Sequence, residues 1–277
     1  MKFRIQIQSR EAVKWNEAIY NLPPRNPFHS EILVYLTEEM SEAKAKSYLR
    51  ENFLEVKKRI VQAAQKSGRN ADEIKLVAVS KTHRSEVLQD AVAAGANVFG
   101  ENKVQEAEGK IEEIGRENVE WHLIGHLQSN KTRKAVKLFD VIHTLDSIEL
   151  AERLERICIE ENRTSLSVLA QVDLANEATK NGIKESDLPK LIEFLQTCRR
   201  LKFDGLMIIP PFFEEAEKVR PYFKRLRELR DEILPNGEIS MGMSHDFELA
   251  IEEGATIVRV GTAIFGERKK LSTDEHR

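Results

Sequence analysis

The sequence predicts an α/β protein folded as a single (β/α)8 barrel, the TIM-barrel architecture, with an extra N-terminal helix. Three observations predict it. From Ser41 onward, short apolar runs alternate with longer amphipathic stretches. Eight strand-like runs can be counted, separated by seven helical ones. No change in composition after Met40 marks a second domain. Near-continuous apolar runs belong to strands covered on both faces, and parallel neighbours need a crossover that a helix supplies. Eight such units in 277 residues favour closure into a barrel. The competing open, doubly wound sheet lacks its usual Gly-rich turn, because the first strand ends Ser80-Lys81-Thr82-His83.

Each element follows from its pattern. A long helix opens near Met40, carries Tyr48, Phe53, Val56, Ile60, Val61 and Ala64 near helical spacing, and stops around Gly68. Strands are expected at Ile74–Ser80, Asn97–Gly100, Trp121–Gly125 and Val141–Leu145, then at Val168–Leu174, Phe203–Ile209, Ile239–Met243 and Ile257–Ile264. Helices are expected at Ser85–Ala94, Asn102–Ile114, Ser129–Leu138 and Ser147–Glu161, then at Asp187–Cys198, Glu214–Ile233 and Phe247–Glu253. Only a polar tail, 269–277, follows the last strand, so the helix before strand one supplies the eighth covering helix. Residues 1–39 read as a peripheral extension, interrupted by Leu22-Pro23-Pro24-Arg25-Asn26-Pro27. Its five acids argue against a mitochondrial transit peptide, and an upstream start assignment would account for it. Residues 40–268 are then the barrel.

Composition removes several classes of function. Hydrophobic residues make up 41% and charged residues 32%, a soluble and charge-rich balance. No run approaches the ~20 apolar residues of a spanning helix. Lys+Arg is 43 against Asp+Glu 46, a net charge of −3, which argues against nucleic-acid binding. The basic residues Lys131, Arg133, Lys134 and Lys137, and the run Lys224–Arg230, read as solvated helix faces. Cys158 and Cys198 form no CxxC and read as buried thiols of a cytoplasmic protein. No metal-ligand spacing is present, and neither are HExxH, GxSxG and GxxxxGK[ST].

In a barrel the site lies where the strands end. Lys81 follows the apolar Leu76–Ser80 and would stand at the mouth, where desolvation and nearby cations lower an amine's pKa and let it attack a carbonyl. Taken alone it reads more readily as the start of a solvated loop, since most lysines are solvated surface residues. Phosphate sites in this fold often use the loops after strands seven and eight. There Ser244 offers a hydroxyl, and Gly261 and Thr262 offer backbone N–H groups; Gly261 could equally relieve packing. Arg259 shares a strand face with Gly261 and, being buried, needs a partner: a structural carboxylate, or a ligand's phosphate or ring nitrogen. His122 and His143 read as hydrogen-bonded core histidines.

These strand ends carry a resemblance. Val77-Ala78-Val79-Ser80-Lys81-Thr82, Phe99-Gly100-Glu101-Asn102-Lys103-Val104-Gln105-Glu106 and Trp121-His122-Leu123-Ile124-Gly125 are three of its motifs. Leu127-Gln128-Ser129-Asn130-Lys131, Gly205-Leu206-Met207, Ser240-Met241-Gly242-Met243-Ser244 and Arg259-Val260-Gly261-Thr262-Ala263-Ile264-Phe265-Gly266 are the others. In order over residues 41–268 they resemble the pyridoxal phosphate homeostasis (YggS/PROSC) family. The resemblance implies a fold like the alanine racemase N-terminal domain and pyridoxal 5′-phosphate (PLP) held as an aldimine. It implies Lys81 as the cofactor lysine, Ser244, Gly261 and Thr262 at the phosphate, Arg259 facing the pyridine nitrogen, and Asn102 lining the pocket. His126 stands where some members have proline, and His245 where many have an acid; both are expected near the pocket mouth.

The function so implied is PLP binding in intracellular vitamin B6 homeostasis, without conventional turnover and with no residue assigned a catalytic role. Apo PLP-dependent enzymes are the expected recipients. The racemase's second domain, which builds its dimer, has no counterpart here, so a cytoplasmic monomer is expected. A PLP-dependent racemase or decarboxylase is the alternative, and a Schiff-base barrel aldolase a more distant one.

Overall fold

The computed structural model describes residues 29–175 and 181–267, with side chains from residue 43 onward. The chain divides into two units at Tyr48/Leu49, and the barrel belongs to the second. The Pro-rich segment at 22–27 and the tail at 269–277 lie outside the described residues.

Eight parallel strands make the barrel: β1 (Lys75–Val79), β2 (Val98–Glu101), β3 (Glu120–Leu123), β4 (Val141–Leu145), β5 (Leu166–Asp173), β6 (Leu201–Met207), β7 (Glu238–Ser240) and β8 (Ile257–Val260). Their order is β4-β3-β2-β1-β8-β7-β6-β5, and β4 also pairs with β5, which closes the sheet on itself. A two-residue strand at Ile183–Lys184, not expected from the sequence, adds to β5 in parallel.

The covering helices are α1 (His29–Lys66), α2 (Ser85–Ala93), α3 (Val104–Ile114), α4 (Thr132–Leu138), α5 (Ile148–Glu160), α6 (Leu188–Thr197), α7 (Arg220–Ile233), α8 (Phe247–Glu252) and the single turn α9 (Thr262–Phe265). Helix α1 starts upstream of the expected Met40. Its buried stripe runs through Leu49, Phe53, Val56, Ile60, Ala63 and Ala64, whereas Tyr48 and Val61 are exposed. Counting i+3 and i+4 from Phe53 selects that stripe and turns Tyr48 and Val61 away from it. Asn52 Nδ2 donates to Ile264 O at 3.2 Å, and the Arg59 guanidinium sits 4.6 Å over the Phe247 ring, so this part of α1 closes the helical layer beside β8.

Two elements differ from the sequence expectation for local reasons. The run Ile257–Ile264 is not one strand: it stops at Val260, and a helical turn starts at Thr262. Ser244 Oγ accepts from the N–H groups of Gly261 and Ala263, both at 3.2 Å, and turns the chain there. Helix α7 begins at Arg220 rather than Glu214, after a 3-10 turn at Ala216–Val219 and with proline in its first turn, where a missing N–H costs nothing.

The core has two parts. A large apolar layer lies between strands and helices. A separate small cluster, Val77, Val98, Val141, Leu169, Met207 and Ile257, takes one side chain each from β1, β2, β4, β5, β6 and β8, and fills the barrel interior. Side chains on a strand alternate faces with period two. Every second residue after this interior cluster therefore also points inward, towards the mouth.

Candidate functional site

That alternation builds the site. On β1 it runs Val77, Val79, Lys81; on β2, Val98, Gly100, Asn102; on β6, Met207, Ile209; on β8, Ile257, Arg259, Gly261. Val79, Lys81, Asn102, Ile209, Arg259 and Gly261 all line one cavity of about 340 Å³ at the C-terminal ends of the strands. That volume is at the small end of the ~300–1,000 Å³ range of ligand sites. Ser244 and Thr262 line the same cavity. All six residues expected at the site thus meet in one place.

Arg259 is the most unusual of them. It is 4% exposed. Its guanidinium donates to Ser240 Oγ at 2.7 Å and to Ile208 O at 2.8 Å. Among the described residues no carboxylate pairs with it, so the structural salt bridge is absent. Desolvation pushes its pKa down to about 10, which still leaves it charged at neutral pH. Its hydrogen-bond partners are both neutral, and the Asp246 carboxylate opposes the desolvation only from beyond ion-pair distance; an anionic or lone-pair-bearing ligand would offset the remaining cost of burial.

Ser240 begins a buried chain of hydrogen bonds. His143 Nδ1 lies 2.9 Å from Ser240 Oγ, His143 Nε2 lies 2.8 Å from His122 Nδ1, and His122 Nε2 lies 2.8 Å from Glu120 Oε1. Lys75 Nζ closes the chain on Glu120 at 3.0 Å. Burial lowers the pKa of both histidines below the usual imidazole range. The His122 hydrogen bond, ahead of an opposing desolvation, holds Glu120 down at about 2. Because a carboxylate only accepts, one direction satisfies every link when both imidazoles are neutral: Arg259 to Ser240 to His143 to His122 to Glu120. The expectation of hydrogen-bonded core histidines holds.

The opposite wall is built from the loops after β7 and β8. Ser244 Oγ already accepts from Gly261 N–H, so that amide is shared rather than wholly available, and the serine's own O–H remains a donor. A Cβ at Gly261 would lie 3.3 Å from Val79 Cβ and from Val79 O, so close packing against β1 contributes to the need for glycine. Asn102 Oδ1 is buried without a hydrogen-bond partner, and a buried polar atom left unpaired costs ~1–3 kcal/mol. A Cβ at Gly125 would sit 2.3 Å from Asn102 O, so glycine there lets β3 approach the Asn102 backbone and set its position.

A lysine, a buried guanidinium, a hydroxyl between two backbone amides and an unpaired carboxamide oxygen line one cavity, a set of groups suited to a small anionic ligand. The alanine racemase N-terminal domain family matches residues 50–269. A pyridoxal phosphate homeostasis protein from Aquifex aeolicus is 44% identical over 226 residues, covering 79% of this chain and 98% of its own. Its counterpart from Escherichia coli K12 is 40% identical over 231 residues, covering 78% and 95%.

The chain belongs to the pyridoxal phosphate homeostasis protein family.

A solved structure of PipY from Synechococcus elongatus PCC7942, with PLP bound, is similar at 41% identity and TM-score 0.66, covering 75% of this chain and 100% of its own. An alanine racemase from Corynebacterium glutamicum shares the fold alone, at 19% identity and TM-score 0.59, covering 83% of this chain and 63% of its own.

Within this family's barrel, several wall residues were not singled out from sequence. Ile124, Ile209, Phe212, Met243 and His83 all line the cavity. The alternation from His122 to Ile124 and from Met207 to Ile209 was a usable signal; the loop residue Phe212, 77% exposed, gave none. His83 stacks on Phe265 with centroids 4.7 Å apart. His245 lines the cavity, but His126 is not among its lining residues. Instead His126 Nδ1 faces Asp146 Oδ2 at 3.5 Å.

Features set aside from sequence have ordinary roles. Arg133 pairs with Glu160 and Glu161, Lys134 with Glu108, and Lys137 with Glu161, as a solvated face should. Cys158 is buried and Cys198 half-buried, both free, and burial raises both thiols to about 11. Among the described residues no cluster could hold a metal ion, and no helix is long and apolar enough to cross a membrane.

Proposed function

We propose that this chain binds pyridoxal 5′-phosphate at the barrel mouth, as an aldimine on Lys81, and serves vitamin B6 homeostasis as a carrier rather than a conventional enzyme. The observation that carries the reading is the convergence of Lys81, Asn102, Ser244, Arg259, Gly261 and Thr262 on one cavity around a buried arginine that has no carboxylate ion pair among the described residues. The Ser244 hydroxyl and the Gly261–Thr262 backbone hold the phosphate, Arg259 meets the ring nitrogen, and Asn102 lines the wall. The cofactor, when bound, supplies a reactive aldehyde and an electron sink.

Arginine is always protonated and has no acceptor. Facing a pyridine nitrogen, Arg259 keeps that nitrogen unprotonated and the sink weak. This favours holding the aldehyde over carbanion chemistry. Residues 40–268 form the binding barrel, with 1–39 a peripheral extension and 269–277 a polar tail. Apo PLP-dependent enzymes in the cytoplasm are the natural recipients of cofactor from a monomeric carrier.

The test is a PLP titration paired with turnover assays on a panel of L- and D-amino acids. Saturable binding with racemisation and decarboxylation at the free-PLP rate is the expected result. Turnover well above that background would replace the carrier reading with a racemase or decarboxylase.

A further inference from the structure

Strand β1 ends at Val79, and Lys81 lies between two residues that are tied down from behind. Ser80 is fully buried. Its N–H donates to Gly100 O at 3.1 Å, its Oγ donates to Glu101 Oε1 at 2.6 Å, and its carbonyl accepts from Lys110 Nζ at 2.8 Å. On the other side of Lys81, the Thr82 N–H donates to Glu106 Oε1. Lys110 joins the two anchors, donating to Glu101 Oε1 at 2.6 Å and to Glu106 Oε1 at 2.7 Å. An ammonium has three donors, and here all three serve this cluster.

Two features argue that the cluster is not there for stability. Glu101 Oε2 is buried with no hydrogen-bond partner, so the carboxylate is incompletely satisfied. Buried ion pairs are in general a poor source of stability, since apolar replacements often do as well. Thr82 has φ +70°, the left-handed region that a β-branched residue avoids. Such a conformation persists only when its surroundings impose it, and it concentrates at functional sites. Two restraints act here: the Glu106 carboxylate on the Thr82 amide, and the turn bond from His83 N–H to Ser80 O at 3.1 Å.

We infer that Glu101, Lys110 and Glu106 are positioning residues for Lys81: they clamp the backbone on both sides of it and hold its amine where a cofactor aldehyde is presented. This rests on the proposed role of Lys81. The step served is condensation. Lys81 Nζ forms a C=N bond with the aldehyde carbon, the C=O bond breaks, and the oxygen leaves as water with two hydrogens from the ammonium, leaving a protonated imine.

The clamp acts on imine formation and not on phosphate anchoring, which separates it from a general structural role. The experiment uses the full chain as wild type, Glu106→Ala, Glu106→Gln and Lys110→Met. It compares the rate of imine formation with PLP, followed by absorbance, with the affinity for pyridoxine 5′-phosphate, whose alcohol cannot condense. Glu106 is partly exposed, so its variants fold even if Lys110→Met does not. The expected result is imine formation slowed about tenfold in Glu106→Ala, with pyridoxine phosphate affinity within twofold of wild type and near-complete rescue in Glu106→Gln. Wild-type imine rates in Glu106→Ala would overturn the inference, as would a parallel fall in rate and analogue affinity. Absence of a borohydride-trapped adduct on Lys81 in the wild type would instead overturn the reading of Lys81 itself, and the positioning role with it.

Discussion

The two ends of the barrel satisfy their polar groups to different degrees. At the N-terminal end of the strands, Lys75 pairs with Glu120 at 3.0 Å, and Arg69 is held by the carbonyls of Ile251 and Ala255 at 3.0 and 2.8 Å. At the C-terminal end, Arg259 is buried with no carboxylate partner among the described residues, and Asn102 Oδ1 and Glu101 Oε2 have no hydrogen-bond partner. The chain through Ser240, His143 and His122 joins the two ends. Folding alone favours satisfied polar groups. The end that leaves them unsatisfied is the end where a ligand would find partners, and the contrast supports the proposed site independently of any motif.

The contrast can be broken or sharpened by substitution. The largest effect is expected from Arg259→Met. It should weaken PLP binding by at least tenfold, while thermal stability stays within about 1 kcal/mol of wild type, because removing a buried charge that has no direct ion pair offsets the lost hydrogen bonds. Titration and thermal melts of the same samples check both halves. A loss of several kcal/mol would show that the arginine is structural. Ser244→Ala comes next. A hydrogen bond to a charged group is worth ~1.5–3 kcal/mol, so affinity for PLP and for inorganic phosphate should both fall by roughly 10- to 100-fold.

A smaller effect concerns pH. Burial lowers the pKa of His122 and His143 in the folded chain, so below the ordinary imidazole pKa of ~6.5 the unfolded chain binds more protons. Their contribution to stability is complete above that value and is lost as pH falls through it. His143→Asn should therefore make the apo protein's melting temperature less dependent on pH between about 7.5 and 5.5. An unchanged slope would place the histidines outside the acid response. The smallest effect belongs to the floor: Lys75→Met should cost no more than about 1 kcal/mol, as a half-exposed pair should, and leave PLP affinity unaltered.

Much of the mouth was legible because period two carries it. Val77, Val79 and Lys81 share a face in any strand, and so do Ile257, Arg259 and Gly261. The end of β8 was not legible, since Val260-Gly261-Thr262-Ala263-Ile264 has no charge or proline to stop a strand, and only the Ser244 hydroxyl, distant in sequence, shows where it ends. The α1 stripe was misphased at Tyr48 and Val61 because neighbouring apolar residues fit a helical period nearly as well. Glu101, Lys110 and Glu106 illustrate the harder limit. Glu106 and Lys110 have the spacing of an ordinary surface pair, and only the fold brings Glu101 and the Ser80 carbonyl to them.

On the proposed reading, the unsatisfied end of the barrel holds PLP through Lys81. Borohydride reduction of the PLP-loaded protein, followed by peptide mass mapping, tests it most directly. The expected result is a visible absorbance band that reduction removes, with one phosphopyridoxyl group on Lys81 and none in Lys81→Ala. An adduct retained in Lys81→Ala, or mapped to another lysine in the wild type, would contradict it.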